Sequence, residues 1–250
     1  MSLQVVHFVD PDRFHQALVG PLFSKLNSQD LAALSGVSKE MKDTLKRFNE
    51  AGLNEAGVWA EGICKEMGSW EKCKFVLFER AAGMGSLSTL KSLRQSGIPW
   101  NERTCAAAAA GGYLDILQWA HENSCPWDKT TCELAAKKGK LACLMYARAN
   151  GCPWDKSTIE SAAEGGHLHV LKWARKQTPP CPWDETTCTA AAEYGHLHVL
   201  QWARKQKPPC PWDERTCKAA ARGGHLHVLE WAREQTPPCA WDVYTLTVLI

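Results

Sequence analysis

From residue 74 onward the chain alternates short stretches of small side chains with short stretches of larger apolar ones, each at helical spacing. Residues 181–209 show the pattern most clearly. Cys188, Ala191 and Ala192 fall at i, i+3 and i+4, which on a helix makes one narrow face of small side chains that lets helices approach closely. Leu197, Val199, Leu200, Trp202 and Ala203 form a second, bulkier stripe. Asp184 stands where an N-cap belongs, and Glu185 lies in the first turn near the positive end of the helix dipole. Gly195 supplies a positive φ to end the first helix, His196 begins the second, and Lys207-Pro208-Pro209 stops it. The block predicts helix, turn, helix and return loop.

Nearly the same text recurs on both sides. Pro-Trp anchors fall at Trp100, Trp127, Trp154, Trp183 and Trp212, with Trp241 after an alanine, in steps of 27, 27, 29, 29 and 29 residues. A fixed period between about 20 and 50 residues marks a solenoid. A degenerate unit precedes these from Lys74, with Ala81-Ala82, Gly85 and Leu90 in register. The opening of another appears at Val243-Tyr244-Thr245-Leu246. Residues 74–250 therefore read as about six units plus a partial one.

The recurring Thr-Cys-x-x-Ala-Ala-x-x-Gly-His-Leu-x-Val-Leu-x-Trp-Ala resembles the ankyrin repeat, carried here by Thr187, Ala191, Ala192, Gly195, His196, Leu197, Val199 and Leu200. The resemblance implies an all-α, helix-turn-helix solenoid whose role is interaction. The units depart from the usual ankyrin repeat in being shorter than its roughly 33 residues and in carrying Thr-Cys or Thr-Ile for Thr-Pro-Leu-His. The hairpin finger of that family is thus expected to shrink to a tight Cys-Pro-Trp-Asp loop, as in the tryptophan-rich, short-loop variety.

Ahead of the array, residues 13–48 predict two or three short amphipathic helices, a small N-terminal helical domain within residues 1–50. Leu22-Phe23-x-x-Leu26 followed by Asp30-Leu31-x-x-Leu34-x-x-Val37 resembles the F-box. Ser38 and Met41 stand where that family usually has Cys and Trp. The resemblance implies that Leu22, Phe23, Leu26, Leu31, Leu34 and Val37 contact the F-box-binding adaptor of a cullin ligase; a helical cap on the first repeat is the other reading. Residues 51–73, punctuated by glycines, read as a helical connector or a decayed repeat.

Composition adds bounds. With 45% hydrophobic and 22% charged residues the chain is neither disordered nor fibrous. Its net charge of +2, from 29 basic and 27 acidic residues, gives no default toward nucleic acid or an anionic membrane. No signal-peptide or membrane-span pattern appears at the N-terminus, so the expected location is the cytoplasm, with the nucleus as the alternative. The twelve cysteines sit mostly at two fixed repeat positions, Cys-Pro-Trp and Thr-Cys. Equivalent positions in stacked units lie roughly 8–10 Å apart, beyond the roughly 7 Å Cα limit for a disulfide, so reduced, packed thiols are expected.

Three tempting sites dissolve on spacing. The pairs His167/His169, His196/His198 and His225/His227 lack the four ligands that tetrahedral zinc needs, and on one helix i and i+2 point apart. No metal or cofactor is expected; the Gly-His histidine should instead hydrogen-bond backbone. Trp119, Trp173, Trp202 and Trp231 lie on the apolar stripe, and Trp127, Trp154, Trp183 and Trp212 sit just before N-caps, so all are expected to pack in the core, with base stacking as the alternative. Every Cys near a His is a copied repeat position, whereas a catalytic nucleophile and its base form a single asymmetric arrangement. The chain is therefore expected not to be an enzyme.

Comparing units separates framework from substituted positions. Glu133 and Lys137; Glu160 and Glu164; Thr189, Glu193 and Tyr194; and Lys218 and Arg222 vary while the framework repeats. They predict a partner-binding ladder on the first helices and their turns. The expected function is a non-catalytic protein-binding scaffold, as substrate receptor of a cullin-type ubiquitin ligase if the F-box resemblance holds, with a nucleic-acid-binding repeat module as the alternative.

Overall fold

The computed structural model describes residues 70–240, with side chains from residue 74; the F-box-like residues Leu22 to Val37 and connector residues 51–69 lie outside the described residues, while residues 70–73 open the first helix of the array. Lys74 onward forms a compact unit of its own. Twelve helices and no strand occur among the described residues. The degenerate pair is α1 (Trp70–Gly83) and α2 (Leu87–Gln95). Unit I holds α3 (Glu102–Gly111) and α4 (Leu114–Glu122), unit II α5 (Lys129–Lys137) and α6 (Leu141–Ala149), and unit III α7 (Lys156–Glu164) and α8 (Leu168–Arg175). Unit IV holds α9 (Glu185–Glu193) and α10 (Leu197–Arg204), and unit V α11 (Glu214–Arg222) and α12 (Leu226–Arg233). The architecture is an all-α repeat solenoid.

Each odd helix from α3 to α11 starts where a short polar side chain can satisfy an orphan N–H. Asn101, Asp128, Asp155, Asp184 and Asp213 have extended backbone, and each accepts from the N–H two residues on at 2.9–3.2 Å. A cap of this kind contributes about 1 kcal/mol. The helices end as the glycine spacing predicts. In unit IV, Gly195 adopts φ +74°, its N–H reaches the Ala192 carbonyl at 3.2 Å, and the His196 N–H reaches that of Ala191 at 2.8 Å. These paired bonds use two carbonyls the helix leaves free. His196 proves to be the residue before α10, not its first turn.

Small side chains then decide the stacking. Consecutive odd helices, α3 through α11, pack directly on one another. Their buried faces are Cys105, Ala108 and Ala109, then Cys132, Ala135 and Ala136, and onward to Cys217, Ala220 and Ala221. Ile159 replaces the cysteine in unit III. The even helices α4, α8 and α10 lay a larger pair against their own unit: Ile116 and Leu117, Val170 and Leu171, Val199 and Leu200, all fully buried. Burying a Val, Leu or Ile contributes about 1.5–3 kcal/mol, so the even helices supply most of the apolar energy and the odd helices the close approach.

The tryptophans depart from expectation. None of those among the described side chains joins the buried core; the loop and even-helix indoles alike are half-buried. The stripe rule placed them on the right side of the helix, but an indole is too long to fit between units spaced by Ala and Cys. It therefore lies over the loop edge instead. A second unforeseen feature is a column of buried threonines. The Thr104, Thr131, Thr158, Thr187 and Thr216 hydroxyls have at most 1% exposure and no hydrogen-bond partner.

Candidate partner-binding face

On each odd helix from α5 to α11 two substituted positions stand one turn apart: Glu133/Lys137, Glu160/Glu164, Thr189/Glu193 and Lys218/Arg222. Residues at i and i+4 share a helix face, and stacking the units turns them into two columns. All eight are at least partly accessible. Unit I has Ala106 and Ala110 at these places.

The columns are not free charges waiting for a ligand; much of their charge is already engaged between units. Lys137 pairs with Glu164, and Arg222 with Glu193 at 4.0 Å. Glu133 pairs within its helix to Lys129 at 3.4 Å, and Lys218 to Glu214 at 3.6 Å. Glu160 accepts from the Thr186 hydroxyl at 3.4 Å, and Thr189 donates to the Glu185 carbonyl at 3.0 Å. Between units III and IV the column places Glu164 next to Glu193, like charges in succession, and there the Tyr194 hydroxyl bonds to Glu164, which raises the phenol above its ordinary pKa. Tyr194 is 50% exposed, one of four large apolar side chains left so open among the described residues.

A second row of ion pairs runs along the odd-helix N-termini; unit-to-unit comparison passed over it although the position after each N-cap is Glu in some units and Lys in others. Lys129 reaches Asp155 at 3.2 Å, Lys156 reaches Asp184 at 2.6 Å and Arg215 reaches Glu185 at 3.0 Å. Each joins one unit to the next; exposed pairs contribute little stability but fix register. The partners leave a mark on the caps. Burial works against ionising Asp155 and Asp184, yet hydrogen bonds from Ser157 and Lys129 in the first case, and from Lys156 and Thr186 in the second, outweigh it and hold both below the usual carboxylate range. Arg215 does the same for Asp213.

The histidine pairs stitch units together through both members. Nε2 of His196 lies 3.0 Å from the Glu164 carbonyl and that of His198 2.9 Å from Gly166, while His225 and His227 contact Glu193 and Gly195 at 3.0 and 3.2 Å. The sequence reading that one ring turns away from the other is corrected: the rings of each pair stand 5.8–5.9 Å apart, because the first histidine precedes the helix and does not follow its 100° step. Burial lowers the pKa of His167 and His196. No group of three or more metal-ligating side chains occurs among the described residues.

The loop tryptophans are clamped. Arg175 stacks over Trp183 at 4.2 Å and Arg204 over Trp212 at 4.3 Å, while Trp202 and Trp231 make T-shaped contacts with the same indoles at centroid distances of 5.9 and 5.7 Å. The same guanidinium groups donate to the Cys181 and Cys210 carbonyls at 2.8 and 2.7 Å. In unit II, His121 takes the arginine's place against Trp127 at 3.8 Å. Trp183 and Trp212 thus each carry a guanidinium over one face and an edge-type contact with the even-helix indole of their unit, and serve the loop.

Ten cysteines of the described region are buried free thiols. Each loop cysteine donates to the N-cap carbonyl of the preceding unit: Cys125 to Asn101 at 3.5 Å, Cys152 to Asp128 at 3.1 Å, Cys181 to Asp155 at 3.3 Å, Cys210 to Asp184 at 3.4 Å and Cys239 to Asp213 at 3.3 Å. The odd-helix thiols Cys105, Cys132, Cys188 and Cys217 are pushed far up by hydrogen bonding to the neighbouring loop thiol and by burial. Spacing between equivalent positions could not show this neighbourhood, since it joins two different positions of successive units.

No protein-family profile and no curated protein matches the chain. Among solved structures, the human ASB11 ankyrin repeat domain is similar with a TM-score of 0.46 and 19% identity, over 61% of this chain and 80% of that one. The maize pentatricopeptide repeat protein PPR10 is similar with a TM-score of 0.41 and 13% identity, over 97% of this chain. PPR10 in complex with an 18-nt psaJ RNA element gives 0.43 and 14%. The chain spans 46% and 38% of those two PPR10 chains.

Proposed function

We propose that the chain is a non-catalytic scaffold that binds a partner protein across the two odd-helix columns, centred on Tyr194. The observation that carries this reading is the exposure of Tyr194 at 50% in the middle of the face, beside Glu164, Lys137 and Glu193. Tyrosine is among the residue types enriched at interface hot spots, and this one is accessible at the centre of the face. A partner groove that takes the ring and offers basic groups to Glu164 and Glu193 suits that arrangement. The nucleic-acid alternative fares worse, because Glu133, Glu160, Glu164 and Glu193 would repel phosphate and the indoles that would stack on bases are clamped. Electrophoretic mobility shift at moderate salt separates the two. Binding that persists there with a steep salt slope would favour nucleic acid.

The finer role, substrate receptor of a cullin-type ubiquitin ligase, rests on the F-box-like residues Leu22, Phe23, Leu26, Leu31, Leu34 and Val37 and on their position ahead of a repeat array. Co-purification of the full chain with the F-box-binding adaptor, lost on Leu26→Asp and Leu34→Asp, supports it. Failure of the folded wild-type chain to capture the adaptor removes it and leaves the scaffold.

A further inference from the structure

The loop cysteine of one unit bonds the N-cap carbonyl of the unit before it, and that N-cap lies four residues ahead of the odd-helix cysteine. Cys152 Sγ stands 3.1 Å from the Asp128 carbonyl oxygen, and Asp128 is the N-cap four residues before Cys132. A helical side chain leans back toward the helix N-terminus, so the Cys132 thiol is carried toward the same carbonyl. The geometry repeats for Cys105/Cys125 around Asn101, Cys188/Cys210 around Asp184 and Cys217/Cys239 around Asp213. It fails once. At the junction of units III and IV, Cys181 reaches the Asp155 carbonyl at 3.3 Å but finds Ile159 where the second thiol would be.

We propose that these four interunit dithiols are oxidation sites, each closing to a disulfide by exchange with a low-molecular-weight disulfide and thereby stapling successive units. The loop thiolate attacks one sulfur of the small disulfide, forming a mixed disulfide and releasing one small thiol. Once the loop sulfur is in the mixed disulfide its hydrogen bond to the odd-helix thiol, the main cause that held that thiol protonated, is gone; the odd-helix sulfur then attacks the loop sulfur, its proton passing to the second small thiol as that leaves. The protein pair loses two electrons and two protons, and both small thiols carry them away. Burial of both sulfurs means that the first attack follows local opening of the Cys-Pro-Trp loop, a segment outside any helix. In two pairs the electrostatics favour the loop sulfur as attacker: hydrogen bonding from Cys132 holds the Cys152 thiol below its ordinary pKa against the opposing effect of burial, and Cys217 does the same for Cys239.

The stapled array is not uniform. Units I, II and III become one locked block, and units IV and V with the following loop another. They meet at the junction that lacks a thiol pair, sets Glu164 beside Glu193 and carries Tyr194. Oxidation thus locks the proposed partner face on either side of Tyr194 while leaving its centre adjustable.

The test is peptide mapping of the full-length protein after native incubation with glutathione disulfide, alkylation and digestion without reduction. The expected result is four links, Cys105 to Cys125, Cys132 to Cys152, Cys188 to Cys210 and Cys217 to Cys239, each lowering the mass by about 2 Da for the two hydrogens lost. Cys143 and Cys181 remain alkylatable. Cys152→Ser should remove one link and leave Cys132 alkylatable with the other three intact, and Ile159→Cys should create a fifth link to Cys181. Stable glutathione adducts without links, links that involve Cys181 in the wild type, or oxidation only after urea unfolds the chain would each overturn the proposal.

Discussion

Replacing Thr131 or Thr187 with valine should stabilise the protein. Each hydroxyl is buried, at 0% and 1% exposure, and neither has a hydrogen-bond partner. Leaving such a group unsatisfied costs about 1–3 kcal/mol, and valine keeps the β-branched shape while removing the polar atom. Taking the low end, because the surroundings relax, each substitution should gain about 1 kcal/mol. In a unit of this size that raises Tm by about 2–4 °C. The two sites are two units apart, roughly 16–20 Å at helix-packing distances, far enough for the gains to add to about 2 kcal/mol in the double variant. Urea denaturation followed by circular dichroism reads the effect as a higher midpoint at an unchanged slope. Thr189→Val is the control, since its half-buried hydroxyl donates to the Glu185 carbonyl at 3.0 Å and its loss should gain nothing. A loss of stability of about 1 kcal/mol or more at Thr131 or Thr187 would show that these hydroxyls are satisfied and would refute the reasoning.

Three further outcomes follow from the packing. Gly165→Ala places a methyl 2.2 Å from the Lys137 carbonyl oxygen, a backbone atom that cannot step aside, so urea melts should show a loss of about 1–3 kcal/mol; Gly83→Ala, whose nearest contact is 3.9 Å away, should be close to neutral. Arg175→Met removes both the bond to the Cys181 carbonyl and the cation stacked on Trp183, an expected cost of about 1–2 kcal/mol, seen as a lower urea midpoint with red-shifted tryptophan emission. Stability should also fall with acid in two stages. His167 and His196 have folded pKa values below the 6.5 of the free side chain, so their neutral forms support the fold fully above pH 6.5 and that support is lost as pH falls through the folded values. Asp155, Asp184 and Asp213, held below 3.8, add a second loss under that pH. Urea midpoints across pH 3 to 8 check both stages, and replacing His167 and His196 with asparagine should flatten the first.

Much of the array was legible because each signal acts locally. Asp184 caps, Gly195 turns, and the Cys188, Ala191, Ala192 spacing packs, all within one helix length of the residues that announce them. What the sequence concealed lies between units. The Cys132/Cys152 neighbourhood, the Lys156 to Asp184 pair and the His198 reach to Gly166 each join positions 20–32 residues apart, a relation set by stacking geometry and not by period. The tryptophans misled for a related reason: the stripe fixes the direction of Trp202 but not its depth, which the close spacing of small side chains limits. The ladder positions Glu133 to Arg222 could be picked out by substitution, yet their mutual ion pairs could not.

The scaffold reading turns on whether the columns around Tyr194 meet the partner. The direct measurement is affinity capture with the wild-type chain, a face variant combining Tyr194→Ala and Arg222→Ala, and a control variant carrying Gln201→Ala on the even helix α10, with captured proteins quantified by mass spectrometry and folding verified by circular dichroism. The account predicts that a specific protein held by the wild type is retained by the control and reduced at least about tenfold by the face variant, as befits loss of a hot-spot aromatic, with all three spectra superimposable. Retention by the face variant together with loss in the α10 control would place binding on the opposite side of the array and contradict it.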